Sequence, residues 1–222
     1  MRLASILLIA ACGSGSKATP ANVAKPANPD MARDFHEPGS WRFAYSQALT
    51  LSRDGIDTPS TFAGSIVVTS DGRGTAKAEV VATEPGMPPL SFTLHETATE
   101  LKLDRPEQIM FLLFPFPSKP LAENASETFA ITFPLSAGRS VQDIPVQLEI
   151  TRLARDTIDG LPCTHLDLAF AVERAIAKLG LAGDACIAAD GLPVIVDLTM
   201  AMATEGPPAF AMTTRISLKR TH

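Results

Sequence analysis

The sequence predicts a mainly β protein, a curved antiparallel sheet or half-barrel of hairpins with one or two short helices. Three observations lead there. Bulky apolar residues alternate with small or polar ones over many short stretches, the period of a strand with one buried face. Asp-Gly pairs stand at 54–55, 71–72, 159–160 and 190–191, and this dipeptide favours the two-residue turns that join hairpin strands. Helical spacing is confined to two short segments.

The strands follow in order. Trp41, Phe43 and Tyr45, continued by Leu49 and Leu51, alternate with smaller residues, and Phe62, Gly64, Ile66 and Val68 do the same. Ser70-Asp71-Gly72-Arg73-Gly74 then turns the chain into a strand over Ala76 to Val81. Leu90, Phe92 and Leu94, then Leu101, mark a further strand or pair, and Thr128 to Phe133 with Val146, Leu148 and Ile150 add two more. Asp159-Gly160 separates the run ending at Ile158 from a strand over Pro162 to Phe170. Asp190-Gly191 separates Cys186 to Ala189 from Leu192 to Ala203, and Gly206-Pro207-Pro208 ends that run before Ala209 to Leu218.

Two segments read as helix. Asp104-Arg105-Pro106-Glu107 offers an N-cap, an early proline and a carboxylate ahead of Gln108 to Phe114, which predicts a helix near 105–114 stopped by Pro115 and Pro117. Ala171, Val172, Ala175, Ile176 and Leu179 fall on one helical face, with Gly180 as a C-cap, which predicts a helix over 171–180. The alternative for 171–181 is another strand with a loop.

The amino terminus carries a different signal. Arg2 precedes an apolar run from Leu3 to Ile9, and Ala10-Ala11 supply small residues before Cys12. The run is less than half the ~20 residues a membrane-spanning helix needs, and its order is that of an export signal. Ile9-Ala10-Ala11-Cys12 resembles the lipobox of bacterial lipoproteins. That resemblance implies removal of residues 1–11, acylation of Cys12 and attachment to the membrane through its acyl chains, two or more of which hold a protein essentially permanently. It also implies a place in the bacterial cell envelope, and Gly13, where an inner-membrane retention signal would put Asp, points to the outer membrane, at its periplasmic face or at the surface.

Residues 12–33 read as a disordered tether. GSGSKATPANVAKPANPDMAR has small residues, prolines and no apolar period, so it cannot bury enough surface to fold. Residues 34–222 then form a single antiparallel β domain of ordinary size. Apolar residues make up 45% of the chain and charged residues 19%, enough for a packed core. The net charge of −5 is mild and the basic residues are scattered, with no basic patch interleaved with aromatics, so nucleic acid is not an expected partner. Apart from Cys12, two cysteines remain, Cys163 and Cys186. An even pair in an oxidising compartment is expected to form a structural disulfide; free thiols and a zinc site are the alternatives, and zinc would need further ligands than the nearby His165.

Catalytic patterns are sparse. The four histidines His36, His95, His165 and His222 lack metal-motif spacing, and there is no nucleophile elbow or phosphate-cradling loop. His95-Glu96 and His165 with Asp167 could be paired on paper, but on strands they serve equally as solvent-facing polar positions. The expectation is therefore no catalytic residue, no metal and no cofactor. The segment with most functional colour is Ile109 to Phe116, eight apolar residues in a row, of which Met110, Phe111, Leu113, Phe114 and Phe116 are the candidate ligand-binding side chains. Read as core it needs both faces covered; read as a site it lines a cavity for an apolar ligand.

The anchor, the tether and the sheet with short helices resemble periplasmic lipid- and lipoprotein-carrier half-barrels across residues 41–220. This resemblance implies a bent sheet around a hydrophobic cavity, with Met110 to Phe116 plugging or lining its concave side. Two functions follow as expectations: an anchored lipoprotein that binds or carries an apolar ligand, or a structural envelope lipoprotein that acts through a protein partner.

Overall fold

The structure is a computed structural model that describes residues 23–24, 38–84, 89–96, 100–103, 121–137, 140–174, 177–204 and 210–221. Among the described residues twelve strands form one sheet. In chain order they are β1 (Val23–Ala24), β2 (Pro38–Arg53), β3 (Ile56–Asp71), β4 (Thr75–Ala82), β5 (Leu90–Glu96) and β6 (Glu100–Leu103). There follow β7 (Ser126–Ala137), β8 (Ser140–Ile158), β9 (Leu161–Arg174), β10 (Ala177–Ala188), β11 (Pro193–Thr204) and β12 (Phe210–Thr221). Every neighbouring pair is antiparallel, and the lateral order is β1-β6-β5-β4-β3-β2-β12-β11-β10-β9-β8-β7.

The order amounts to two meanders joined back to back. One runs outward from β2 to β6; the other starts at the opposite edge with β7 and returns to β12. The two meet mid-sheet, where β12 pairs along its whole length with β2, from Arg53↔Phe210 to Arg42↔Thr221. Among the described residues the sheet is open, ending at β1 and β7.

Turn chemistry explains the hairpins. Asp54 and Gly55 both have positive φ (53° and 76°), as do Asp159 and Gly160 (51° and 80°). This is the mirror-image turn whose twist matches that of paired strands, and Asp-Gly adopts it at low cost. Ser70 and Asp71 cap the β3–β4 turn, accepting from Gly72 N–H at 3.1 Å and Arg73 N–H at 2.8 Å. Two irregularities interrupt the ladders, between Arg152 and Arg155 in β8 and between Cys186 and Ile187 in β10.

Alternation decides which face is buried. Phe43 and Tyr45 of β2, Ile66 and Val68 of β3, and Met212, Ile216 and Leu218 of β12 point to one side, and their sequence neighbours are mostly exposed. One contiguous apolar cluster covers this inner face from β4 and β5 across to β8. A second, smaller cluster lies away from it, where Ile158 and Leu161 at the β8–β9 tip pack with Cys163, Cys186, Ala188, Val194 and Ile195.

One expectation needs correction. The helix over 171–180 is instead the β9–β10 hairpin: Val172 faces Leu179 and Phe170 faces Leu181 across it. The apparent helical stripe came from two arms folded against each other, with Gly180 opposite Ala171 within the ladder. Of residues 12–33, expected as a tether, Val23–Ala24 pairs with Leu101 and Glu100 of β6, and the others lie outside the described residues. The expected helix near 105–114 lies outside the described residues, as do the export signal and Cys12.

Candidate ligand-binding face

Of the residues singled out from the sequence, Met110, Phe111, Leu113, Phe114 and Phe116 lie outside the described residues. Cys163 and Cys186 are joined in a disulfide, with their α-carbons 5.4 Å apart. They stand on the strand phase opposite Leu166 and Ala185, in the smaller cluster, and both are buried. The disulfide therefore ties β9 to β10 on the outer side and takes no part in the inner face.

The register lays the inner face out in rows. Tyr45, Leu218, Val196, Ala185 and Leu166 face one another across β2, β12, β11, β10 and β9. Two residues further along, Gln47, Ile216, Leu198, Gly183 and Leu168 form the next row, then Leu49, Thr214, Met200, Leu181 and Phe170. The last complete row is Leu51, Met212, Met202, Leu179 and Val172.

Burial changes along these rows. At the Tyr45 end, Leu218, Val196, Ala185 and Leu166 are no more than 1% exposed, and Ile66, Val68 and Leu94 beyond them are at 0%. At the other end Leu49, Leu51, Phe62, Leu181 and Phe210 are only partly buried, packed against the cluster. The half-open end is also where the three described methionines, Met200, Met202 and Met212, converge. Unbranched, polarizable methionine side chains repack around partners of varied shape.

The closed end is locked by polar groups. Asp190, in the β10–β11 turn, accepts through Oδ2 from Trp41 Nε1–H at 3.0 Å and from Arg220 Nη2–H at 2.6 Å. Its Oδ1 accepts from Leu192 N–H at 3.1 Å. Arg220 has 16% of its side chain exposed, so its charge is largely withdrawn from water and depends on this carboxylate. One aspartate thus ties the turn to β2 and β12 together.

Between the two ends the inner face carries a short polar strip. Tyr45 O–H donates to Gln47 Oε1 at 2.8 Å, and burial pushes the Tyr45 hydroxyl pKa far up, so it remains a neutral donor. Tyr45 also packs its ring against Phe62, centroids 5.6 Å apart. Thr214, opposite Leu49 and diagonal to Gln47, is 2% exposed. Sequence reasoning missed this strip. The available signal was Gln47 and Thr214 occupying the apolar phase of strands otherwise filled by Leu, Met and Ile.

The outer face holds the histidine considered for acid–base work. His165 Nε2 lies 3.2 Å from Asp156 Oδ2 and Nδ1 lies 3.9 Å from Asp184 Oδ2. Asp167, its partner on paper, stands instead opposite Asp184 and Thr151. The Thr157 backbone N–H and then the His165 ring hold the Asp156 carboxyl below the ordinary carboxylate range. His95 pairs through the backbone with Thr75 and Lys102. Among the described residues no group of three or more His, Cys, Asp or Glu is arranged to hold a metal.

Comparison with known proteins adds little to this geometry. No family model and no curated protein matches the chain. Among solved structures it is similar to a DUF1329 family protein from Desulfovibrio piger, at 10% identity over 80% of this chain and 85% of that one, with a TM-score of 0.17. It is also similar to a putative outer membrane lipoprotein-sorting protein domain from Vibrio parahaemolyticus, at 10% identity over 81% and 85% of the two chains, with a TM-score of 0.20.

Proposed function

We propose that the protein is a lipid-anchored lipoprotein of the bacterial cell envelope, held through acylated Cys12, that binds or carries an apolar ligand on the inner face of its sheet. The observation that carries this reading is the uneven burial of one apolar surface. The same face is sealed at the Leu218 end and half-open at the Leu51 end, where Leu49, Leu51, Leu181, Phe62 and Phe210 remain partly uncovered beside the buried methionines. Uncovered apolar area of this kind marks binding surfaces, and concave apolar sites with few polar groups are the usual form of small-molecule pockets. The chemistry of the face suits binding and not turnover. The polar strip between the two ends, Tyr45, Gln47 and Thr214, is neutral, and among the described residues no base stands beside a nucleophile there, so the protein is read as a binding module without catalytic activity.

The test is native mass spectrometry of the full chain purified without detergent. Bound lipid-sized species are expected, and Leu51→Asp should release them while the fold persists by circular dichroism. Protein that carries nothing and takes up no apolar probe would contradict the reading. The anchor is tested separately: radiolabelled palmitate should enter the wild-type chain and not Cys12→Ser, and equal labelling of both would remove acylation at this residue.

A further inference from the structure

The Thr214 hydroxyl is buried to 2% exposure on the inner face, and among the described residues it has no hydrogen-bond partner. A buried hydroxyl without a partner costs free energy, and such groups in native structures call for a specific explanation, an absent ligand or water being the usual ones. Its surroundings are apolar: Leu49 and Met200 face it across the two neighbouring strands, and Met212 and Ile216 flank it along its own. The nearest polar side chain by register is Gln47, diagonal to it on β2. Gln47 Oε1 is already occupied by the Tyr45 hydroxyl at 2.8 Å, which leaves the two Nε2–H donors of its amide without a partner among the described residues.

The strip therefore offers hydrogen-bond donors and no charge. Cations on this face are engaged elsewhere: Arg220, at the closed end, by Asp190, and Arg152, opposite Leu166, by the Leu121 carbonyl. A charged headgroup brought here would lose its hydration with nothing to replace it. A carbonyl oxygen has two lone pairs and takes two donors, which matches the Thr214 O–H and Gln47 Nε2–H. On either side of the strip the rows are apolar, with Met202, Met212 and Leu51 toward the half-open end.

We infer that Thr214 and Gln47 form a subsite for the ester or amide carbonyl of a fatty acyl chain, whose hydrocarbon lies along the methionine rows. This inference rests on the proposed apolar-ligand function and gives that ligand a chemical class. The subsite discriminates an acyl linkage from a plain hydrocarbon chain, because only the carbonyl accepts from the buried Thr214 hydroxyl and the Gln47 amide together. A second buried threonine, Thr164, has no partner among the described residues either. It stands at the closed end between Arg155 and Ile187, away from the half-open rows, and serves as an internal control.

The experiment measures binding of 1-monooleoylglycerol and of its ether counterpart 1-O-oleylglycerol to the full chain, by displacement of an apolar fluorescent probe. The two ligands share chain and headgroup and differ in the carbonyl. Wild-type protein is expected to favour the ester by about tenfold, the worth of one well-made hydrogen bond. Thr214→Val keeps the shape and removes the hydroxyl; it should abolish most of that preference and leave ether binding unchanged. In the absence of ligand the same variant should melt about 2–4 °C higher, because a stranded hydroxyl has been replaced by methyl. Gln47→Leu, at a half-buried position, should reduce the preference as well, whereas Thr164→Val should raise the melting temperature and leave the preference intact. A diacylglyceryl-cysteine peptide in the same assay separates two sources of the ester, a free glycerolipid or an acylated protein: the tighter competitor is the source, and either result supports the subsite. Equal affinity for ester and ether, or an unchanged ratio in Thr214→Val, overturns the subsite while leaving apolar binding in place. Failure of both ligands to bind overturns the proposed function and the subsite together.

Discussion

The two ends of the inner face are built from the same strands and differ in what finishes them. At the closed end Phe43, Ile66, Val68 and Leu94 are at most 1% exposed, and the Asp190 carboxylate draws Trp41, Arg220 and its own turn together. At the half-open end the rows run out into Leu51, Phe62 and Phe210 with no comparable polar lock in the described residues. Side chains at one end have a single well-packed arrangement; at the other, methionines that repack readily adjoin partly uncovered apolar surface. On the proposed function, stability and binding fall to different ends of one continuous face, so that a ligand would come and go without disturbing the packing that holds the sheet together.

The contrast makes graded expectations. Phe43→Ala at the closed end should cost about 3–5 kcal/mol, the usual penalty for emptying a fully buried aromatic site, read from urea unfolding. Leu51→Ala at the half-open end should cost less than about 1.5 kcal/mol and weaken ligand binding instead. Equal losses for the pair would erase the distinction. Reducing the outer-face disulfide, or Cys163→Ser with Cys186→Ser, should lower stability by about 3 kcal/mol on the chain-entropy account of a loop of this size and leave binding at the inner face intact; a loss of binding would show that the two faces are coupled. Asp190→Ala should cost about 1–3 kcal/mol, because it strands a guanidinium that is mostly out of water, and should raise hydrogen exchange in β2 and β12 near Trp41 and Arg220 before it does so near Met212.

The smallest expectation concerns pH. The folded-state pKa of Asp156 is depressed by the Thr157 N–H and the His165 ring below its ordinary value of 3.8. Its contribution is therefore present above the unfolded value and disappears as the pH falls through the lower folded one. Asp156→Asn should remove the acid-dependent loss in that range below 3.8 and lower stability at neutral pH by the same small amount, since the group is exposed. A large loss near pH 7 would place His165 and Asp156 in a larger network than the two carboxylates seen around the ring.

Much of the fold could be read from local chemistry. The strict alternation of β2 and β3 and the Asp-Gly turns at 54–55 and 159–160 state their own structure, because strand phase and turn type are set by neighbours in sequence. The segment 171–180 misled for the same reason: a hairpin whose arms meet at Val172 and Leu179 mimics helical spacing over a short window, and only the pairing partner distinguishes the two. The cysteine pair could be anticipated from number and compartment, but not its place on the outer side, which depends on the phase of two strands relative to a core they do not adjoin in sequence. The His165–Asp156 pair runs across the β8–β9 hairpin and was hidden by the irregularity between Arg152 and Arg155. The division into a closed and a half-open end was unreadable for a deeper reason. It arises from Asp190 meeting Trp41 across 149 residues of chain, a contact no local pattern encodes.

The most direct test of the central claim follows the methyl groups of Met200, Met202 and Met212 by NMR while monooleoylglycerol is added to the full chain. Those three signals should shift together and saturate, while the methyls of Ile66 and Val68 at the closed end stay where they are. Shifts spread evenly over both ends, or confined to the closed end, would contradict an inner face that is sealed at one end and receptive at the other.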